Sequence, residues 1–337
     1  MIPQPALKQQ QPLWQQRLQA LITDPQTLLS LVEVSPTLLP WQLDKQFPLR
    51  VTPSFVARMK KGDPADPLLL QVLPVKTENQ SVVGFSCDPL QEKQANPIPG
   101  LLHKYPSRAL ITLTPNCAIH CRYCFRRHFP YEQNTPGRKG WELIWDYLGQ
   151  HSEIMEVILS GGDPLLATDD YIAQFLEGLA NFSHIQLLRF HTRLPILIPE
   201  RIYPDFLKRL PLQRFHTTFV YHINHSAELI PAISEGVQLL KTYGITVLNQ
   251  SVLLKGINDN LACLKQLSLN LFKAGILPYY LHLPDAVKGT HHFAVSLTIA
   301  KQLAQALREA LPGYLVPRFV QEIPHTLAKT PLDLINV

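Results

Sequence analysis

Three cysteines fall within eight residues, Cys117, Cys121 and Cys124 in TPNCAIHCRYCFRRHF, at the spacing C-x3-C-x2-C with an aromatic, Tyr123, before the last. Three closely spaced thiolates can hold three irons of a [4Fe-4S] cube, whose fourth iron is then free to bind a small molecule. An open iron means chemistry rather than structure alone. A structural zinc site is the rival use of these thiols; no fourth cysteine is near, so His120 or His128 would have to complete it. Cys87 and Cys263 have no partner at useful spacing, and five cysteines so distributed form no disulfide framework. That usage suits a reducing compartment.

A second segment, SGGDP at residues 160–164, can bring backbone close to a ligand, because Gly161 and Gly162 carry no side chain. Read alone it is an ordinary turn; its place directly after a strand-like run favours a ligand-binding loop. His216, His222, His225, His291 and His292 invite a metal reading, but they scatter over strand ends and loops. They are better read as polar groups near the pocket, with His222 the one placed to touch a cofactor.

The elements that must position these residues follow from periodicity. Six β-branched or leucine-rich runs, at residues 109–113, 156–159, 186–190, 217–222, 246–252 and 279–283, read as strands. Between them, residues 140–150, 169–180, 203–209, 227–243 and 261–274 carry helical patterns long enough for crossovers, which implies a parallel sheet. An α/β open barrel, a partial (βα)6 arrangement, is the first expectation and a doubly wound sheet the second. In both, ligands gather at the carboxyl ends of the strands, where the cysteines and the SGGDP loop fall. Before the barrel, residues 14–34 and 41–59 show helical spacing, with Thr52 before Pro53 as a helix start, and residues 82–85 read as a short strand. The expected organisation is a helical cap over 1–100, the barrel over 101–310 and a C-terminal segment over 311–337.

Composition agrees with this. A chain of 337 residues can bury the core of a barrel with an appendage. With 46% apolar and 17% charged residues it reads as a soluble globular protein, and no run approaches the ~18 apolar residues a membrane span needs. The opening MIPQPALKQQQPLWQQ lacks a secretory pattern, so a cytoplasmic location is expected. The net charge of +5 is spread along the chain, which argues for mild attraction to acidic partners and against a nucleic-acid interface.

The cysteine spacing, with its aromatic, resembles that of the radical S-adenosylmethionine (SAM) superfamily. The resemblance implies that SAM chelates the open iron and that one-electron reduction cleaves it to methionine and a 5′-deoxyadenosyl radical. It also implies that Gly161, Gly162 and Asp163 lie in the SAM-binding segment. From about residue 100 onward the chain further resembles the lysine 2,3-aminomutases, through HKYPSRALITLTPNCAIHCRYCFRRHF, LSGGDPL, NQSVLLKGIND, PYYLHLPDAVKGTHHF and VPRFVQEIPHTLAKTPL. Those enzymes move the amino group of lysine from the α to the β carbon and use pyridoxal 5′-phosphate (PLP) as well as SAM.

By that resemblance Lys329 carries PLP as an imine, while Arg108, Gln250 and Ser251 contact the cofactor. Arg126 binds the substrate carboxylate, and Asp285 with Glu322 holds the ε-ammonium. A buried carboxylate pair without a cation is costly, which argues for a ligand ammonium there. Lys104 stands where an arginine would assist with the PLP phosphate. The family's glycine-rich run before the PLP lysine is PHTLAK here, and the chain ends eight residues after Lys329 in KTPLDL and beyond. These features look like the subgroup that makes (R)-β-lysine for modifying translation elongation factor P. Implied partners are free L-lysine, an electron donor such as flavodoxin or ferredoxin, and an elongation factor P lysyl ligase, with no nucleic acid and no membrane. The other readings are a different radical SAM aminomutase, a PLP-independent radical SAM enzyme, or a non-catalytic iron–sulfur or zinc protein.

Overall fold

The computed structural model describes residues 12–335. Among them, one sheet of nine strands runs in spatial order identical to chain order: β1 (Leu101–Tyr105), β2 (Arg108–Thr114), β3 (Glu156–Gly161), β4 (Leu187–Thr192), β5 (His216–His222), β6 (Thr246–Val252), β7 (Leu277–His282), β8 (Arg318–Gln321) and β9 (Thr330–Pro331). Strands β2 to β8 pair parallel in sequence, while β1 and β9 pair antiparallel at the two edges. Helices Trp141–Gln150, Asp169–Leu179, Pro204–Arg209, Pro231–Thr242, Leu261–Lys273 and Leu297–Ala310 lie in the crossovers. A doubly wound sheet reverses strand order at a switch point; this order never reverses. The result is the open βα barrel, with no pairing between β1 and β9 among the described residues.

Alternation along the strands separates core from site. Ala109, Ile111 and Leu113 of β2 and Val157 and Leu159 of β3 share a buried core with Ile144, Leu148, Phe175 and Leu176 from the first two crossover helices. Each such side chain, fully buried, stabilises by about 1.5–3 kcal/mol. The alternate positions are polar: Ser160, His191, His222, Gln250 and His282 stand at or near the carboxyl ends of β3 to β7.

All six expected strands form. Three more were not read from the sequence: β1, the four-residue β8 and the two-residue β9. Residues 318–331 therefore extend the sheet beside β7. Residues 82–85 form no strand; only Ser86 makes an isolated bridge, to Val287. Within 41–59 only Pro53–Val56 is α-helical, since Pro48 and Pro53 interrupt the run. Thr52 does cap that turn, accepting from Phe55 N at 3.3 Å. Trp14, Leu28, Leu29, Phe55, Leu68 and Leu69 join the barrel core, so the N-terminal region packs directly on it. Among the described residues no helix is long and apolar enough to cross a membrane.

Candidate active site

The loop leaving β2 carries the three thiols, all free and half-buried. It is pinned to the N-terminal region: Arg50 Nη1 donates to Cys117 O at 2.9 Å, Arg122 N to Gln71 O at 2.8 Å and His120 N to Arg50 O at 2.9 Å. The Arg122 side chain, fully buried, pairs with Asp44 and Glu78, and Arg127 reaches the same two acids. Burial pushes the Cys117 thiol up, and Asp163 and the other two thiols push it further. Burial and Cys121 likewise raise Cys124 to about 11. The three sulfurs thus lie within electrostatic reach, and ionising them together requires the positive charge that iron supplies. A zinc site would have to use the second ring nitrogen of His120 or His128. His120 Nδ1 is bonded to Pro48 O at 2.7 Å and His128 Nε2 to Lys288 O at 3.1 Å. No three metal-ligating side chains converge on a single-ion point among the described residues. The donor set fits a cluster.

The SGGDP loop meets this loop. Gly161 has φ +117°, and a Cβ there would lie 2.6 Å from Thr114 O; one on Gly162 would lie 2.2 Å from Asn116 O. The glycines therefore admit the cysteine loop's own backbone. Asp163, expected in the SAM segment, spends its buried carboxylate within the fold: Oδ1 accepts from Thr192 Oγ1 (2.7 Å) and Leu165 N (3.1 Å), Oδ2 from Arg193 N (2.7 Å) and Leu194 N (2.8 Å). It clamps the loop after β3 to the loop after β4.

Arg126 is buried at the same rim, but it is not alone. Glu92 accepts from its Nε (2.9 Å) and Nη2 (2.8 Å), and Ser160 Oγ accepts from Nη1 at 3.4 Å. Sequence reasoning missed Glu92, an acid in a stretch read as irregular. Three of the five guanidinium donors are used, which leaves one N–H on Nη1 and one on Nη2 for a further carboxylate.

Across the barrel mouth, Glu322 follows β8 and Lys329 precedes β9. Lys329 Nζ donates to Glu322 Oε2 at 2.9 Å, and Lys104 Nζ of β1 donates to Oε1 at 2.5 Å. Burial would raise the Glu322 carboxyl, but Lys329 and Lys104 outweigh it and hold the group well below the usual range. The expectation that this acid lacks a cation is thus corrected: the chain supplies two. Asp285, after β7, differs. Burial and the charge of Glu322 lift its carboxyl up to about 7, against the pull of Lys329 and Lys104.

Between the two sides lie His191, His222 and His282. Burial lowers all three, with His222 down to about 3, and Lys329 lowers each further. They are neutral near pH 7. Gln250 Nε2 donates to His222 Nε2 at 2.6 Å, while His191 Nε2 is buried without a partner. Arg108 opens β2 at its amino end, stacks on Tyr105 at 4.9 Å, and leaves its Nε buried and unpartnered. Tyr105 in turn bonds Glu322. The unpartnered Nε–H of Arg108, an unpartnered ring nitrogen of His191, a half-buried lysine and a neutral histidine surface fit an anionic, planar cofactor. Ser251 does not join them. Its hydroxyl donates to Ile223 O at 2.7 Å and accepts from Asn249, beside Leu264, Leu267 and Ser268 of the helix layer. His216 is exposed at the opposite end of β5, and His225 caps a turn through Ala227 N. Cys87 is exposed and Cys263 is half-buried with Ile257 O as its contact.

Fold and site together define a barrel enzyme with a three-thiol loop at one side of its mouth and a lysine–carboxylate tail at the other. No family model matches the chain. It is 45% identical over 331 residues to L-lysine 2,3-aminomutase of Haemophilus influenzae, covering 98% of each chain, and 44% identical over 324 residues to that of Escherichia coli, covering 95% and 94%. To L-lysine 2,3-aminomutase of Clostridium subterminale it is 33% identical over 86% of this chain and 70% of that one. A solved radical SAM methyltransferase from Sphaerobacter thermophilus superposes at a TM-score of only 0.45 with 16% identity, over 65% of this chain and 68% of that one. The chain belongs to the L-lysine 2,3-aminomutase family and is an isomerase.

Proposed function

We propose that this chain converts L-α-lysine to (R)-β-lysine, with a [4Fe-4S] cluster on Cys117, Cys121 and Cys124, SAM beside residues 160–163, and PLP on Lys329. When bound, the cluster and SAM supply the hydrogen-abstracting radical, and PLP supplies the π-system through which the amino group migrates. The observation that carries this reading is the run of ion pairs that joins the two sides of the mouth, Arg126 to Glu92 (2.8 Å), Glu92 to Lys104 (3.8 Å), Lys104 to Glu322 (2.5 Å) and Glu322 to Lys329 (2.9 Å). Arg126 takes the substrate carboxylate on its free Nη1 and Nη2 donors, held at the right angle by Glu92 and Ser160. Asp285, ionised by an incoming ammonium, takes the other end of lysine, and Glu322 holds Lys329 near until the cofactor claims it. Arg108 and Lys104 serve the cofactor phosphate, and Gln250 acts with His222 on its ring. Clamping both ends of lysine presents one hydrogen to the radical, which is the protein's share of the rate.

The identities of 45% and 44% to the H. influenzae and E. coli relatives, against 33% to the C. subterminale one, support grouping this chain with the first two. On that basis its product serves β-lysylation of elongation factor P through a lysyl ligase, with flavodoxin or ferredoxin as electron source in the cytoplasm. Incubating reconstituted protein with lysine, SAM, PLP and a strong reductant is expected to yield β-lysine. Intact cluster and SAM cleavage without that product would overturn the assignment.

A further inference from the structure

Arg193 stands directly after β4, 5% exposed, with its backbone N–H held by Asp163. Its Nη2 donates to Glu228 Oε2 at 2.8 Å and to Gln71 Oε1 at 2.7 Å. Its Nη1 reaches Cys121 Sγ at 2.8 Å and the Tyr123 hydroxyl at 2.5 Å. Glu228 is wholly buried, and its second oxygen accepts from Asn224 N (2.9 Å) and His225 N (3.1 Å), so the carboxylate cannot follow the arginine if it moves. An arginine that merely braced two loops would need only Glu228, Gln71 and its backbone clamp. The N–H aimed at a cysteine sulfur is additional, and it fixes a positive charge, half neutralised from behind, against one candidate cluster ligand.

We propose that Arg193 is a positioning residue that sets the reduction potential of the cluster through Cys121, with Glu228 as its counterweight. The inference rests on the cluster reading above. One electron enters the cluster from a low-potential one-electron donor; no proton moves, and the added negative charge spreads onto the cysteine sulfurs. A hydrogen bond and a positive charge at Cys121 Sγ favour that reduced state, because sulfur-directed hydrogen bonds and local charge tune such clusters. Removing Glu228's charge leaves the arginine less neutralised and favours reduction further. The two residues therefore push in opposite directions, which packing alone would not produce.

The test is an anaerobic redox titration of the reconstituted full chain, following the electron paramagnetic resonance signal of the reduced cluster, with iron counted per chain. Arg193→Gln is expected to lower the midpoint, cutting the reduced-to-oxidised ratio at a fixed potential about tenfold, equivalent to about 59 mV for one electron. Arg193→Lys should fall between that variant and the unaltered protein, and Glu228→Gln should shift the midpoint upward. Equal midpoints in all four proteins, or downward shifts in both the arginine and the glutamate variants, would overturn the proposal. Should Arg193→Gln fail to retain iron, an unshifted Arg193→Lys would overturn it equally. Failure of the unaltered chain to take up four irons would instead sink the cluster reading itself.

Discussion

The two sides of the barrel mouth are held by different forces. On the cysteine side, Asp163 receives three backbone N–H groups and one hydroxyl, and the buried ion pairs around the thiols, Arg122 and Arg127 with Asp44 and Glu78 and Arg193 with Glu228, are tied further by hydrogen bonds to backbone. On the tail side, Lys104, Lys329 and Glu322 hold one another by charge. Buried carboxylates that accept from backbone N–H groups and planar guanidinium groups are fixed in direction, whereas the ammonium of a long, half-buried lysine side chain can turn between partners. The cluster proposed on the thiols would need the first; Lys329, in the proposed role of passing between a carboxylate, a cofactor and a substrate, would need the second.

Four experiments test that contrast. Lys329→Ala should abolish β-lysine formation while leaving iron content and SAM cleavage in place; product formation in that variant, measured by chromatography, would remove the tail from the chemistry. Arg126→Gln leaves Glu92 buried without its bidentate partner, so thermal denaturation should show a loss of about 3–5 kcal/mol, most of it recovered in the double variant with Glu92→Gln. Asp163→Ala strands buried donors on the cysteine side, and a urea titration should register a loss of about 1–3 kcal/mol together with weaker iron retention. An equal loss from Glu322→Ala would erase the distinction between the two sides.

The smallest effect is a pH dependence. Asp285 sits at about 7 in the fold against an ordinary 3.8, so the folded state holds the extra proton between those values. Its relative contribution to stability is complete below the lower value and is lost as pH rises through about 7. Ammonium binding needs the ionised form, so lysine affinity measured by calorimetry should weaken about tenfold per pH unit below 7. Asp285→Asn should flatten that slope; an unchanged slope would assign it to another group.

The six long parallel strands were legible because each spans six or seven residues and leaves a clear β-branched or leucine-rich run, and the cysteine loop fell where barrel topology puts ligands. β8 was not legible: RFVQ is four residues long and begins right after Pro317, so it offers too little periodicity. Parity could have separated Gln250 from Ser251, because neighbouring strand residues face opposite ways and only one can meet His222. Glu92 had no local signal at all. Its meaning lies in a contact with Arg126, 34 residues on, which no spacing rule announces.

The open edge of the sheet carries one more implication. Where a closed barrel would join its first and last strands by a ladder of backbone hydrogen bonds, Lys104 of β1 reaches Glu322 behind β8 by an ionic clasp. A partly buried clasp of that kind loosens modestly with salt, and a ladder does not. Amide exchange along β1 and β9 should therefore quicken as ionic strength rises while β3 to β6 stay protected, so that the barrel opens like a hinged collar at one seam.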